Sequence, residues 1–203
     1  MKRYFLTGTD TDAGKTLISA ALLQRAVLDG HTSFGLKPIA SGSDVTEVGL
    51  RNRDALLHQK YSSGNLGYEV HNPITLKPAI APHIAAQEAG LSLTCSSLIE
   101  SCENGLIQTA DYQLIEGAGG WLVPLNDKET LADFTATLDL PVILVIGLKQ
   151  DFPRRKRMLT KVRRQFFDDV FGPFIEGDKV LQFFTERRFH EFSVDCLLDI
   201  FKL

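Results

Sequence analysis

Short apolar runs alternate with longer helical-looking stretches through the first three quarters of this 203-residue chain. Tyr4-Phe5-Leu6 reads as a buried strand and Leu17 to Leu28 as a helix, stopped by Asp29-Gly30-His31. Ser33 to Ile39 reads as a second strand that must end by Pro38, because proline cannot donate to a sheet ladder. Leu50 to Leu57 has a helical pattern, and residues 61–82, with Asn72-Pro73 and Lys77-Pro78 as turn signals, read as one long loop. Ala81-Pro82-His83-Ile84 opens a short helix with proline in its first turn. Ser92 to Asn104 predicts another helix, Asp111 to Glu116 a strand leading into Gly117-Ala118-Gly119-Gly120, and Leu131-Ala132-Asp133-Phe134 a further helix. Pro141 to Gly147 is the clearest buried parallel strand. This alternation predicts an α/β class with a mainly parallel sheet.

Such sheets bind ligands beyond the carboxyl ends of their strands, and the informative residues collect there. Gly8-Thr9-Asp10-Thr11-Asp12-Ala13-Gly14-Lys15-Thr16 joins the first strand to the first helix, the layout of a nucleotide phosphate loop, although one residue longer than the usual spacing. The fold expected is therefore a P-loop NTPase-like, three-layer α/β fold with a mainly parallel sheet and an atypical C-terminal segment. The loop and helix-start amides are placed to meet a polyphosphate, Lys15 to reach its terminal phosphates, and the Thr16 hydroxyl to meet Mg²⁺. Acidic side chains inside such a loop would repel the ligand, so Asp10 and Asp12 either turn away or contact a substrate amine or ribose. Lys37, Asp54 and Glu116 complete a set suited to ATP chemistry: cations around phosphate and carboxylates around a metal.

Composition adds a boundary. The net charge of −3 is unremarkable for a single domain of ordinary hydrophobicity. Residues 1–149, however, carry eleven Lys/Arg against sixteen Asp/Glu, whereas residues 150–203 carry eleven against nine. Ten of the thirteen phenylalanines and only two of the sixteen glycines fall in that last segment. This supports a P-loop domain at 1–149 and an atypical basic, Phe-rich segment at 150–203. Three readings compete for the segment: frameshifted or degenerate text, a diverged but folded helical end, or a nucleic-acid or acidic-partner patch built on the basic residues of Arg154 to Arg164. The net-acidic body argues against the patch, so neither nucleic acid nor a membrane is expected as a partner. Cys95, Cys102 and Cys196 lack metal spacing and read as free thiols. With no run long enough to span a membrane and Met1-Lys2-Arg3 leading into a strand, a cytoplasmic location is expected.

With these residues placed, the chain resembles the dethiobiotin synthetase family. The match is carried by Tyr4 to Thr16, Lys37-Pro38-Ile39-Ala40-Ser41-Gly42, Arg51-Asn52-Arg53-Asp54-Ala55, Asn72-Pro73, Pro82-His83-Ile84, Glu116 to Gly120 and Pro141 to Val145. It covers about residues 2–149, and the longer phosphate loop is the family's own form. The resemblance implies a homodimeric ATP- and Mg²⁺-dependent ligase of biotin biosynthesis, acting on 7,8-diaminononanoate and CO₂. A carbamate forms on one substrate amine, ATP phosphorylates it, and the second amine closes the ureido ring.

By the same resemblance, Lys15 and Lys37 are catalytic, and Thr16, Asp54 and Glu116 hold the metal. ATP contacts come from Asp12, Ala13, Gly14, Lys15, Thr16, Leu17, Asp54, Glu116, Gly117, Ala118 and Gly119. Substrate contacts come from Thr11, Ser41, Gly117, Ala118, Gly119 and Gly120. Beyond Lys149 the family's Asn-bearing adenine strand has no counterpart, which implies impaired activity. The competing classes are a ParA/MinD-like ATPase switch, which would place a lysine where Asp10 stands, and a non-catalytic nucleotide-binding remnant.

Overall fold

The computed structural model describes residues 1–147 and 180–185. Five parallel strands form the central sheet in the order β2-β7-β1-β8-β9. These are β1 (Lys2–Gly8), β2 (Ser33–Leu36), β7 (Tyr112–Glu116), β8 (Val142–Gly147) and β9 (Val180–Thr185). Four more short pieces pair off the sheet: β3 (Ile39–Ala40) with β6 (Ile74–Thr75), and β4 (Asp44–Thr46) with β5 (Gly49–Arg51) as an antiparallel ribbon. Among the described residues the helices are α1 (Lys15–Leu28), α2 (Arg53–Tyr61), α3 (Tyr68–His71), α4 (Pro82–Glu88), α5 (Cys95–Ser101), α6 (Glu103–Leu106) and α7 (Leu131–Thr137).

The two-residue period of the strands splits the core into two faces. Leu6, Leu114, Ile143 and Val145 pack against Ile18, Ala21 and Leu23 of α1. Their neighbours Phe5, Ile115, Val142 and Leu144 pack on the other side with Ala85, Leu98, Leu131 and Phe134 from α4, α5 and α7. Helices therefore cover both faces of a parallel sheet, the three-layer P-loop NTPase-like architecture. Among the described residues no helix is long and apolar enough to cross a membrane.

Several boundaries differ from the sequence reading, each for a local reason. The helix expected from Leu50 begins at Arg53, because the Asn52 side chain accepts from the Asp54 and Ala55 amides and caps it there. Residues Leu50 and Arg51 belong to β5 instead. The helix expected over Ser92 to Asn104 starts at Cys95 behind a Thr94–Ser97 capping box and breaks at Cys102. The stretch read as one loop, 61–82, contains α3 and β6 around the buried Tyr68, His71 and Asn72. Strand β9 was not anticipated in the segment of altered composition; the readings proposed for the rest of 150–203, and for Cys196, lie outside the described residues. Cys95 and Cys102 are buried free thiols, both pushed up to about 12, chiefly by burial, so neither is an ionised nucleophile at neutral pH.

Candidate functional site

The register explains why distant residues meet. Leu114 faces α1, so Glu116, two residues further along β7, faces it too. A Cβ placed on Gly35 would touch Leu23 of α1 and His58 of α2, and Lys37 lies two residues beyond Gly35 on the same side. Both side chains therefore point from strand ends into the layer made by α1 and α2.

Glu116 is fully buried and every lone-pair direction is engaged. Its Oε1 accepts from the Thr16 hydroxyl at 2.8 Å and from Lys37 Nζ at 2.8 Å. Its Oε2 accepts from the Ser19 hydroxyl at 2.7 Å and lies 2.9 Å from His58 Nε2. Because a carboxylate only accepts, Nε2 carries the imidazole hydrogen; Nδ1 is buried with no hydrogen-bond partner among the described residues. Lys37 also pairs with Asp54 Oδ2 at 2.9 Å, and its own side chain is 5% exposed against 37% for Asp54. Burial pushes the Glu116 carboxyl upward, but the Lys37 charge and the His58 contact outweigh it and hold the group well below its usual range. The same pairing reverses the effect of burial on Lys37, whose ammonium is held above its ordinary value by Glu116 and Asp54.

The second ammonium sits at the mouth of the phosphate loop. Lys15 opens α1, and its Nζ donates to the carbonyls of Asp10 at 2.9 Å and Thr11 at 3.2 Å. Burial lowers its pKa; Glu116 partly offsets this and Lys37 reinforces it. Gly14, the residue before it, has φ of 93°, a left-handed conformation that a side chain would strain. Gly8 permits the lysine to fold back: a Cβ there would lie 3.0 Å from Lys15 Cγ and 3.0 Å from Ala13 Cβ. The first amides of α1, from Lys15 onward, have no carbonyl a turn earlier in the helix and face the loop.

The other sequence-derived positions are arranged around this pair. Asp10 Oδ1 accepts from the Thr11 amide at 2.7 Å, so its carboxylate serves the loop's own backbone. Asp12 is exposed, Ala13 is buried, and Leu17 packs on the core of the α1 face. Gly117 accepts from Lys37 Nζ at 3.5 Å, Ala118 is buried, and Gly119 turns with φ of 65°. At Gly120 a Cβ would lie 3.6 Å from the Gly8 carbonyl oxygen, so the second glycine-rich turn borders the first. The Ser41 carbonyl accepts from Asn52 Nδ2 at 3.3 Å. Ser19 and His58 were missed. Ser19 lies three residues after Thr16 and His58 four after Asp54, the spacings that share a helix face, and that was the available signal.

Two ammonium groups, a loop of bare amides and three oxygen-donor side chains thus converge at the carboxyl end of the sheet. The donors Thr16, Asp54 and Glu116 are all hard oxygen ligands, the chemistry that suits Mg²⁺. The chain is 53% identical over 146 residues to the ATP-dependent dethiobiotin synthetase BioD of Marinobacter nauticus, covering 72% of this chain and 62% of that protein. It is 53% identical over 148 residues to the Cellvibrio japonicus protein of the same name, covering 73% and 64%. To ATP-dependent dethiobiotin synthetase BioD 1 of Escherichia coli O157:H7 it is 51% identical over 148 residues, covering 73% and 65%. The matches therefore span less than two thirds of these relatives. A family model described as AAA domain matches residues 2–162, well over half of the chain. The chain belongs to the AAA domain family, and within that family its relatives are dethiobiotin synthetases.

Proposed function

We propose that the chain is an ATP- and Mg²⁺-dependent dethiobiotin synthetase, carboxylating 7,8-diaminononanoate with CO₂ and closing the ureido ring. The observation that carries this reading is the presence of two buried ammonium groups at one sheet edge, Lys37 paired with the strand-end carboxylate of Glu116 and Lys15 folded onto the phosphate loop beside it. A reaction that makes a carbamate and then transfers phosphoryl to it develops negative charge at both centres, and fixed cations stabilise that charge where it forms.

The residues divide this work by position. The loop amides and Lys15 bind the β/γ-phosphates, so Lys15 exchanges its two carbonyl acceptors for phosphate oxygens. Lys37, held by Glu116 and Asp54, meets the carbamate and the transferred phosphoryl group. Thr11, Ser41 and the Gly117 to Gly120 turn border the diamine. Thr16, Asp54 and Glu116 would hold Mg²⁺, which requires Glu116 to give up the Thr16 hydrogen bond or to meet the ion through water, and the bound ion would neutralise phosphate charge. The synthetase-like P-loop text runs over residues 1–149 and 150–203 lie outside that pattern, a boundary the abrupt change in composition supports, although β9 of the later segment extends the same sheet beside β8. A homodimer in the cytoplasm is the assembly and location this reading carries.

Purified protein supplied with ATP, Mg²⁺, bicarbonate and the diamine should release ADP and dethiobiotin in equal amounts, measured by mass spectrometry, with a raised ATP KM because of the altered end. ADP release that ignores the diamine would replace this reading with an ATPase switch. Nucleotide binding without either product would leave a non-catalytic remnant.

A further inference from the structure

We propose that Tyr68 is a positioning residue: its hydroxyl, with Asn72 and Asn52, holds Lys37, Asp54 and Ser41 in one geometry. This rests on the synthetase reading for what those residues do, but not for how they are held. The need arises from Pro38. The parallel ladder between β2 and β7 ends at Leu36 opposite Ile115, so Lys37 must find backbone partners off the sheet. Its N–H donates to the His71 carbonyl at 2.7 Å, and its carbonyl accepts from Asn72 Nδ2 at 2.7 Å. The end of α3 and the residue after it therefore clamp both sides of the Lys37 peptide unit.

That clamp continues to the other two residues through one oxygen. The Tyr68 hydroxyl donates to Asn72 Oδ1 at 2.8 Å and accepts from the Asn52 amide at 2.7 Å. Asn52 in turn caps α2 through the Asp54 and Ala55 amides and reaches the Ser41 carbonyl with its Nδ2 at 3.3 Å. All three hub side chains are buried, Tyr68 at 5%, Asn72 at 2% and Asn52 at 7% exposure, so water does not substitute for these bonds. None of the three touches the phosphate loop in any of these bonds. The hub thus sets the carbamate-side cation relative to its carboxylate and the substrate loop, and leaves triphosphate binding to α1. Such support matters because a displacement of about 1 Å in a catalytic group costs up to a hundredfold in rate.

Tyr68→Phe removes the single oxygen and keeps the ring, including its face under the Arg51 guanidinium 4.2 Å away. The expected result is a fall in kcat of about ten- to a hundredfold, with the ATP KM within about twofold of the parent. A second readout needs no turnover: limited acetylation by acetic anhydride, with the Lys37-to-Lys15 labelling ratio read by mass spectrometry. In the variant that ratio should rise at least about threefold, because Lys37 alone loses its clamp. An unchanged ratio, or equal rises at both lysines, overturns the proposal. So does an unchanged kcat in a parent that turns over. A parent without turnover defeats the synthetase reading instead, and the labelling ratio still decides the role of Tyr68.

Discussion

Lys37→Met will lower ring-closing turnover by on the order of a thousandfold and will also destabilise the fold. The second effect follows from Glu116, which has no exposed surface and whose charge is balanced mainly by this lysine. Removing one partner of a buried ion pair costs about 3–5 kcal/mol, roughly 6–20 °C in Tm for a chain of this size. The pH dependence has a definite sign. In the parent protein the Glu116 carboxyl is held below its usual range. Its contribution is therefore present above the unfolded carboxylate value, about 4.3, and is lost as the pH falls through that value toward the lower folded one. Without Lys37, burial dominates and the carboxyl favours its proton. The variant's deficit in Tm should then be largest near neutral pH and shrink as the pH falls toward 5. A deficit independent of pH would show that Lys37 does not balance Glu116.

Lys15→Gln separates chemistry from folding. The two acceptors of Lys15 are loop carbonyls, and burial and the nearby Lys37 both disfavour its charge. Losing that charge should change Tm by no more than about 3 °C, the effect of a perturbation below about 1 kcal/mol. Turnover should nonetheless fall by on the order of a thousandfold, because the terminal phosphates lose their fixed cation. Single-turnover ADP formation alongside thermal melting checks both halves. Turnover within about tenfold of the parent would remove Lys15 from the phosphate site.

The contrast between these two lysines shows what the sequence made legible. Lys15 was readable because a nine-residue loop, Gly8 to Thr16, with a strand directly before it and a helix directly after it, is a motif contiguous in sequence. Lys37 and Glu116 were readable as strand ends, since proline after one and glycine after the other stop the sheet there. What joins them was not. Ser19 and His58 complete the carboxylate shell from helix faces 39 residues apart, and their role depends on how α1 and α2 cross the sheet. The same holds for Tyr68, which lay in a stretch that turn signals marked as loop. Its hydroxyl is informative only once α3 is folded beneath Lys37. Propensity also missed the cap at Asn52, where a β-ribbon rather than a helix occupies Leu50 and Arg51.

The most direct test is a crystal structure with Mg²⁺ and a non-hydrolysable ATP analogue. The terminal phosphates should lie against the amides that open α1, with Lys15 Nζ turned from the Asp10 and Thr11 carbonyls onto phosphate oxygens. Lys37 and Glu116 should border the same phosphates. Phosphates bound elsewhere, or a Lys37–Glu116 pair remote from them, would contradict the account.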